Sequence, residues 1–337
     1  MSALISLYHE ILALKRRPNF RAEAWQSLTA AAGLFLIGGC RASAEKKGEE
    51  EDMRLVSYEY NGQAGVGVMA GDDGIVELST AAPGMPGSLR EILESVDGWF
   101  DKIAAAVDGK APDRILAEVE LLPVIPEPQA TWCVALNYQT HKDETGLDRS
   151  AYPEMFLRMP ISVVGHGQSL VRPRESMAER YDFEGELAAV IGKPGRYIPE
   201  SEAFEYIAGY SCYNEGSVRD YQSHNRQFGL GKTFEKSGSF GPWMMTQDEF
   251  GDPYQQSIIT RLNGKEKQNS SINLILTRIE GIIAYLSEGY TLQPGDVVVT
   301  GTPGSIPGTT KRMEPGDVCE VEITGLGTLS NPIIAAE

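Results

Sequence analysis

From Met53 onward the chain sets apolar against polar positions in short alternating runs, the period-2 pattern of half-buried strands. "MRLVSYEY", "AGVGVMA" and "GIVEL" are three such runs, and the Asn-Gly and Asp-Asp-Gly between them predict tight turns. "SLREILESVDGWFDKIAAAV" then switches to helical spacing, with Ser88 as its N-cap. "LLPVIPEPQ" carries prolines at 123, 126 and 128 and reads as a stiff connector. It divides a small N-terminal domain, residues 53–122, from a larger one, residues 123–337. Strands dominate beyond it, and two "PGD" turns each launch one, "VVVTGT" and "VCEVEIT". One helix interrupts them in "NLILTRIEGIIAYLSEGY", where Leu274, Ile275, Ile279 and Ile282 share a stripe. The pattern predicts a mixed β fold with α, the α+β class.

Residues 1–40 follow another pattern. Basic residues in "KRRPNFRAEAWQSL" precede an apolar run from Leu28 to Gly39, which closes on small residues and Cys40. That order is the layout of an export signal, and the run is shorter than a comfortable membrane span. "LIGGC" is similar to the lipobox of bacterial lipoproteins, which would put a lipid anchor on Cys40. Arg16-Arg17 is similar to a twin-arginine signal, although Pro18-Asn19 departs from that pattern. Residues 41–52, "RASAEKKGEEED", have the composition of a flexible charged tether. On this reading the protein is exported, periplasmic or membrane-anchored. The competing reading makes residues 1–40 a helix hairpin of a cytoplasmic protein, because "ALISLYHEIL" has helical character.

Composition narrows the chemistry. Of 337 residues 42% are hydrophobic and 23% charged, enough for a sizeable soluble core. The formal net charge of -17 would repel nucleic acid, so an anionic substrate must meet a local cationic pocket. The four cysteines, Cys40, Cys133, Cys212 and Cys319, form no CxxC pair, and the histidines also number four. A hard cation on oxygen ligands is therefore the expected kind of metal site.

"YDFEGELAAVIG", Tyr181 to Gly192, puts two acids into what reads as a buried strand. Extended, Glu184 and Glu186 share one face about 7 Å apart, while Phe183, Leu187, Ala189 and Ile191 take the other. Two like charges side by side call for a cation, unless that face is a solvated strand edge; both readings stand at this point. Glu215 in "CYNEGSVRDYQ" follows an apolar run expected to pass beside the first strand. With the pair it offers three oxygen ligands to Mg²⁺ or Mn²⁺ and leaves coordination positions open. Arg219 and Gln222 share a face if their stretch makes a helical turn. Arg219 and Lys232 are candidate clamps for a substrate carboxylate. The strand "TWCVAL" ends at Asn137-Tyr138, and His141 and Glu144 then fall at i, i+3. There the carboxylate can fix the imidazole's tautomer, a general-base dyad in outline. Surface charge is the ordinary reading for each of these residues alone. His9 falls in the leader, and a solvated surface role is expected for His166 and His224.

"NYQTHKDE", "YDFEGELAAVIGK", "YNEGSVRDYQ", "GKTFEKSGSFGPW", "LNGKEKQNSS", "LQPGDVVVTGTPGS" and "GLGTLSNP" come in the order seen in the fumarylacetoacetate hydrolase superfamily, which the chain resembles from Pro123 to Pro332. The resemblance implies a β-roll catalytic core, Mg²⁺ or Mn²⁺, a homodimer, and a small 2-oxo or 2,4-dioxo acid as substrate. It implies that Glu184, Glu186 and Glu215 hold the metal and that His141 and Glu144 activate water, with Lys232 catalytic beside them. Arg219, Gln222, Thr302, Tyr138 and Arg158 are the implied substrate contacts. Glu215 stands where many members carry aspartate, and Glu235 replaces a frequent aspartate. Arg158 stands where lysine is common and Ser305 where glycine is common, departures that bear on substrate identity. The implied function is hydrolysis of a C–C bond in a 2,4-dioxo acid of the fumarylpyruvate or acylpyruvate kind. Decarboxylation or isomerisation of 2-oxo or 2-hydroxy-diene dicarboxylic acids through the same enolate is the alternative. A tethered binding module for 2-oxo acids is the non-enzymatic one, and the His141–Glu144 pair argues against it, since a binder needs no general base.

Overall fold

Asn61 and Gly62, with φ of 52° and 75°, turn the chain back between the strands Arg54–Tyr60 and Gln63–Ala70. That left-handed pair makes the two-residue turn whose twist suits antiparallel strands, as the Asn-Gly dipeptide predicts. The computed structural model describes residues 53–146, 150–225 and 227–337. The export signal expected over residues 1–40, the lipid anchor at Cys40 and the tether over 41–52 lie outside the described residues. Among the described residues, no helix is long and apolar enough to cross a membrane.

The described strands form a twelve-stranded mixed sheet, a five-stranded sheet and a two-stranded ribbon, the mixed β architecture with helices that the pattern predicts. The centre of the large sheet runs, in spatial order, Gly238–Thr246, Ile207–Asn214, Gly185–Ile191, Val297–Val299 and Thr131–Ala135. The N-terminal hairpin joins the same sheet, since Arg54 and Leu55 pair with Met245 and Met244. The five-stranded sheet packs over Gly185–Ile191, with Ile258, Val321 and Ile323 in one cluster with Leu187, Ala189 and Ile191. Ala188 and Val190 on the opposite face join a second cluster with Leu55, Leu89 and Ile92. Every residue of this strand is therefore buried, on both faces. The solvated-edge reading of Glu184 and Glu186 is excluded: they are 2% and 1% exposed.

Two helix expectations need correction. The single helix expected over "SLREILESVDGWFDKIAAAV" is two, Leu89–Ser95 and Trp99–Val107. Ser88 caps the first by accepting from Glu91 N–H, as expected, but Gly98 at φ 60° breaks the winding. The helix expected from Asn273 begins only at Ile279. Asn137 explains the delay. Its side chain accepts from Thr277 N–H at 2.7 Å and donates to Thr277 C=O at 2.9 Å. Leu276 N–H donates to the Asn137 carbonyl at 2.7 Å and Ile275 bridges to Tyr138, so residues 275–277 are held out of the helix beside the end of the "TWCVAL" strand. The helix Ile279–Gly289 then buries Ile279, Ile282, Ile283 and Leu286, each contributing roughly 1.5–3 kcal/mol over its exposed state.

Candidate active site

Antiparallel pairing brings the three acids together. Gly185 pairs with Asn214 and Glu186 with Tyr213, and Glu215 N–H donates to Glu184 C=O at 2.8 Å. Carboxylate oxygens of Glu184, Glu186 and Glu215 then lie within 4.8 Å of one another, all three residues buried. Gly185 sits between the two strand acids. Its N–H donates to Gln268 Oε1 at 3.1 Å, and its C=O accepts from Thr302 Oγ1 at 2.9 Å. A Cβ there would come within 2.1 Å of Thr260 Oγ1, so the close approach of the second sheet requires glycine.

The cations expected to clamp substrate are engaged with the protein's own carboxylates. Lys232 Nζ donates to Glu184 Oε2 and, at 2.8 Å, to Glu215 Oε2. Arg219 donates to Glu184 Oε1 at 2.7 Å, Asp182 Oδ2 at 2.9 Å and Gln222 Oε1 at 2.8 Å. Burial alone would raise the Glu184 pKa, but Arg219 and Lys232 outweigh it and hold that carboxyl well below its usual range. Glu186 goes the other way: burial, then Glu215 and Glu184, push its pKa well above the usual range. It accepts from Gly301 N–H at 2.5 Å. Glu215 Oε1 is buried without a hydrogen-bond partner among the described residues. A bare buried carboxylate oxygen, a like-charged neighbour and an all-oxygen donor set fit a hard divalent cation held by Glu184, Glu186 and Glu215.

His141 stands beside this cluster on the helix Gln139–Thr145. Its Nδ1 lies 3.3 Å from Glu144 Oε2, and its Nε2 lies 3.7 Å from Glu184 Oε1. Burial lowers the imidazole pKa, partly offset by Glu144 and Glu184, so the site favours the neutral ring. With Nδ1–H directed at Glu144, Nε2 is left as the basic atom on the side of the acids. Glu144 is fixed from the other side by Ser305, whose Oγ donates to Oε1 at 2.5 Å and whose N–H donates to Oε2 at 3.3 Å. Lys311 Nζ lies 3.1 Å from Glu144 Oε2. Burial would raise the Glu144 pKa, yet His141, Lys311 and Ser305 together hold it below the usual carboxylate range.

The remaining expected residues are placed as follows. Thr302 is buried, tying Gly185 to Gln268, which donates to Thr302 Oγ1 at 2.8 Å. Tyr138 is buried in the core at the N-terminus of the His141 helix, with Glu186 close enough to help raise its pKa. Arg158 is buried behind Glu215, donating to Ser162 Oγ, Gly216 C=O and Ser237 Oγ at 2.9, 3.1 and 2.9 Å. His224 is exposed. His166 departs from the solvated role expected of it: half-buried, it accepts at Nδ1 from Ser330 N–H at 3.1 Å. Gln268, Asn137 and Lys311 were not singled out by the sequence. Asn137 and Lys311 act through contacts between segments more than one hundred and thirty residues apart, and Gln268 through contacts 34 to 83 residues away, where spacing carries no signal; only the quoted "LNGKEKQNSS" motif pointed near Gln268.

Against known proteins, residues 130–334 match the fumarylacetoacetate (FAA) hydrolase C-terminal family. The chain belongs to the fumarylacetoacetate hydrolase family. It is 34% identical over 291 residues to a mitochondrial oxaloacetate tautomerase of Xenopus laevis, covering 84% of this chain and 90% of that protein. It is 32% identical over 301 residues to the oxaloacetate tautomerase YisK of Bacillus subtilis, covering 83% of this chain and all of that one. Among solved structures it is similar to a fumarylacetoacetate hydrolase from Exiguobacterium antarcticum, with 31% identity, a TM-score of 0.70, and coverage of 84% of this chain and 100% of that one.

Proposed function

We propose that the protein is a divalent-metal-dependent keto–enol tautomerase of a 2-oxo dicarboxylic acid of the oxaloacetate type. The observation that carries this is the buried imidazole of His141, its Nδ1 at Glu144 and its Nε2 turned to the acid cluster. Tautomerase relatives that cover most of this chain support it. Held on Glu184, Glu186 and Glu215, Mg²⁺ or Mn²⁺ supplies Lewis-acid polarisation of the 2-oxo group. His141 Nε2 takes the proton from the carbon beside that group, the C–H electron pair becomes the C=C bond, and the carbonyl oxygen becomes the enol oxygen. The imidazolium, steadied by Glu144, returns the proton to that oxygen, so atoms and charge balance without water. The charge of Lys232, raised in pKa by Glu184 and Glu215 against the pull of burial, lies close to the developing oxyanion.

The same dyad supports a second reading, C–C hydrolysis of a 2,4-dioxo acid. His141 would then deprotonate a water instead of the substrate, and the likeness to a fumarylacetoacetate hydrolase favours it. The experiment is to follow enol absorbance of oxaloacetate with and without the protein in Mg²⁺ or Mn²⁺, beside product release from acylpyruvates. Metal-dependent acceleration of enol–keto exchange without cleavage is the expected result. Cleavage of acylpyruvates with no effect on oxaloacetate exchange would establish the hydrolase instead.

A further inference from the structure

Among the described residues, the cationic or basic groups paired with the site's acids include His141, Arg219, Lys232, Lys311 and, through Asp182, Arg180. Four of them are accounted for. His141 is the base, and Arg219 and Lys232 are tied to Asp182, Glu184 and Glu215. Arg180 is an exposed side chain paired with Asp182 at 3.0 Å. Lys311 is different. Its side chain is 6% exposed, and its ammonium has no aligned acceptor among the described residues. Its ion-pair partner among the described residues, Glu144 Oε2 at 3.1 Å, already meets His141 Nδ1 and Ser305 N–H. An ammonium offers three N–H groups, and burying it without aligned acceptors is unfavourable, so such a group is normally completed by an anion. The backbone holds it in place, since Phe183 N–H donates to Lys311 C=O at 3.3 Å, next to the first acid of the cluster. Glu144 Oε2, 3.1 Å from the ammonium, lies 3.3 Å from His141 Nδ1, and the other ring nitrogen lies 3.7 Å from Glu184, which puts Lys311 beside the base and the acids.

We propose that Lys311 receives the second carboxylate of a dicarboxylic 2-oxo acid and so sets the preference for such acids over their monocarboxylic counterparts. The inference deepens the tautomerase reading and rests on it for the identity of the reacting end. The 2-oxo carboxylate end belongs with the acid cluster and its cation, where Arg219 and Lys232 are already neutralised by the protein. The other end of a four-carbon diacid needs a charge of its own. Among the described residues at this site, Lys311 is the buried cation whose N–H groups are left to be met by an acceptor. Its position beside Glu144 also gives the arriving carboxylate a reason to stop short of the dyad, because Glu144 carries the same sign.

The test uses two non-enolisable ligands of equal length, malate and 2-hydroxybutyrate, which differ only in carboxylate against methyl at the far end. Equilibrium binding to the Mg²⁺-loaded full chain is measured by titration calorimetry. The wild type is expected to bind malate at least tenfold more tightly, about the worth of one charge-assisted hydrogen bond. Lys311→Gln and Lys311→Met should bring that ratio close to one while leaving 2-hydroxybutyrate within about twofold, because methyl makes no use of the ammonium. Absence of a malate preference in the wild type overturns the proposal. So does a preference that survives both substitutions, or an equal weakening of both ligands, which would make Lys311 only a support for Glu144. If neither neutral variant folds, a wild-type cocrystal with malate decides: the far carboxylate within hydrogen-bond reach of Lys311 Nζ supports the assignment, and its placement elsewhere overturns it. Neither ligand enolises, so these outcomes stand whether or not the protein exchanges oxaloacetate tautomers.

Discussion

Glu184, Glu186 and Glu215 stand at the ends of two paired strands with both sheet faces buried, whereas Glu144 stands on a seven-residue helix with 37% of its side chain exposed. The first group is placed by the sheet. A strand end laddered to its neighbour moves only if the ladder moves, and Glu186 keeps its position even though burial and two like charges oppose its ionisation. The second is placed by a loop, since Ser305 and Lys311 both belong to the irregular stretch after the strand Val297–Val299. The difference teaches where each task sits. On the proposed reading, the part that would hold a cation at fixed spacing is embedded in the sheet, and the part that would meet the substrate is carried on a short helix and a loop.

Substitutions can separate the two. The largest effect is expected from Glu186→Gln, which keeps the volume and removes a ligand charge. Metal binding should be lost by calorimetry and turnover should fall by about 10³ or more, the scale of removing a preorganised charge-stabilising group. Because the ionised Glu186 is opposed by burial and by Glu215 and Glu184, the metal-free variant should melt higher than the metal-free wild type. A metal-free melting temperature that falls would mean the acids are not in conflict. His141→Ala should cost about 10²–10⁴ in kcat with metal affinity unchanged, as a lost general base does. Metal loss in that variant would merge the two walls into one.

Glu144→Gln should cost least, about tenfold in kcat, and it sharpens the contrast through pH. His141 must be neutral to act, so activity is present above its pKa and lost as pH falls through it. Burial places that pKa below 6.5, so the acid limb of kcat/KM should have its midpoint below 6.5. Glu144 raises the imidazole pKa, so removing its charge should move the midpoint lower still. A midpoint that moves up would contradict the pairing.

What the sequence made legible follows the same division. The period-2 rule placed Glu184 and Glu186 together, and the neighbouring apolar run placed Glu215 beside them, because strand alternation is a local property. The i, i+3 spacing placed His141 against Glu144 for the same reason on a helix. The role of Arg219 was only half legible. A positive charge near the acids could be read, but that Asp182 and Glu184 occupy it depends on a fold-back no spacing records. The late start of the helix Ile279–Gly289 was illegible for a related reason: Asn137, one hundred and forty residues away, competes for the backbone of Thr277. Lys311 in "GTTKRM" had no periodic frame at all, and its burial comes from long-range folding alone.

Gly185 carries a last consequence. A methyl group there would drive into Thr260 Oγ1 at 2.1 Å, so the position between the two strand acids tolerates no side chain unless the sheets part. The spacing of Glu184 and Glu186 is thus inherited from a contact that involves neither of them, and Thr260, with no part in the chemistry, becomes a silent gatekeeper of it. Variation in the five-stranded sheet can reach the acid cluster through that gap, so mutational drift far from the substrate is constrained wherever it would thicken this one layer.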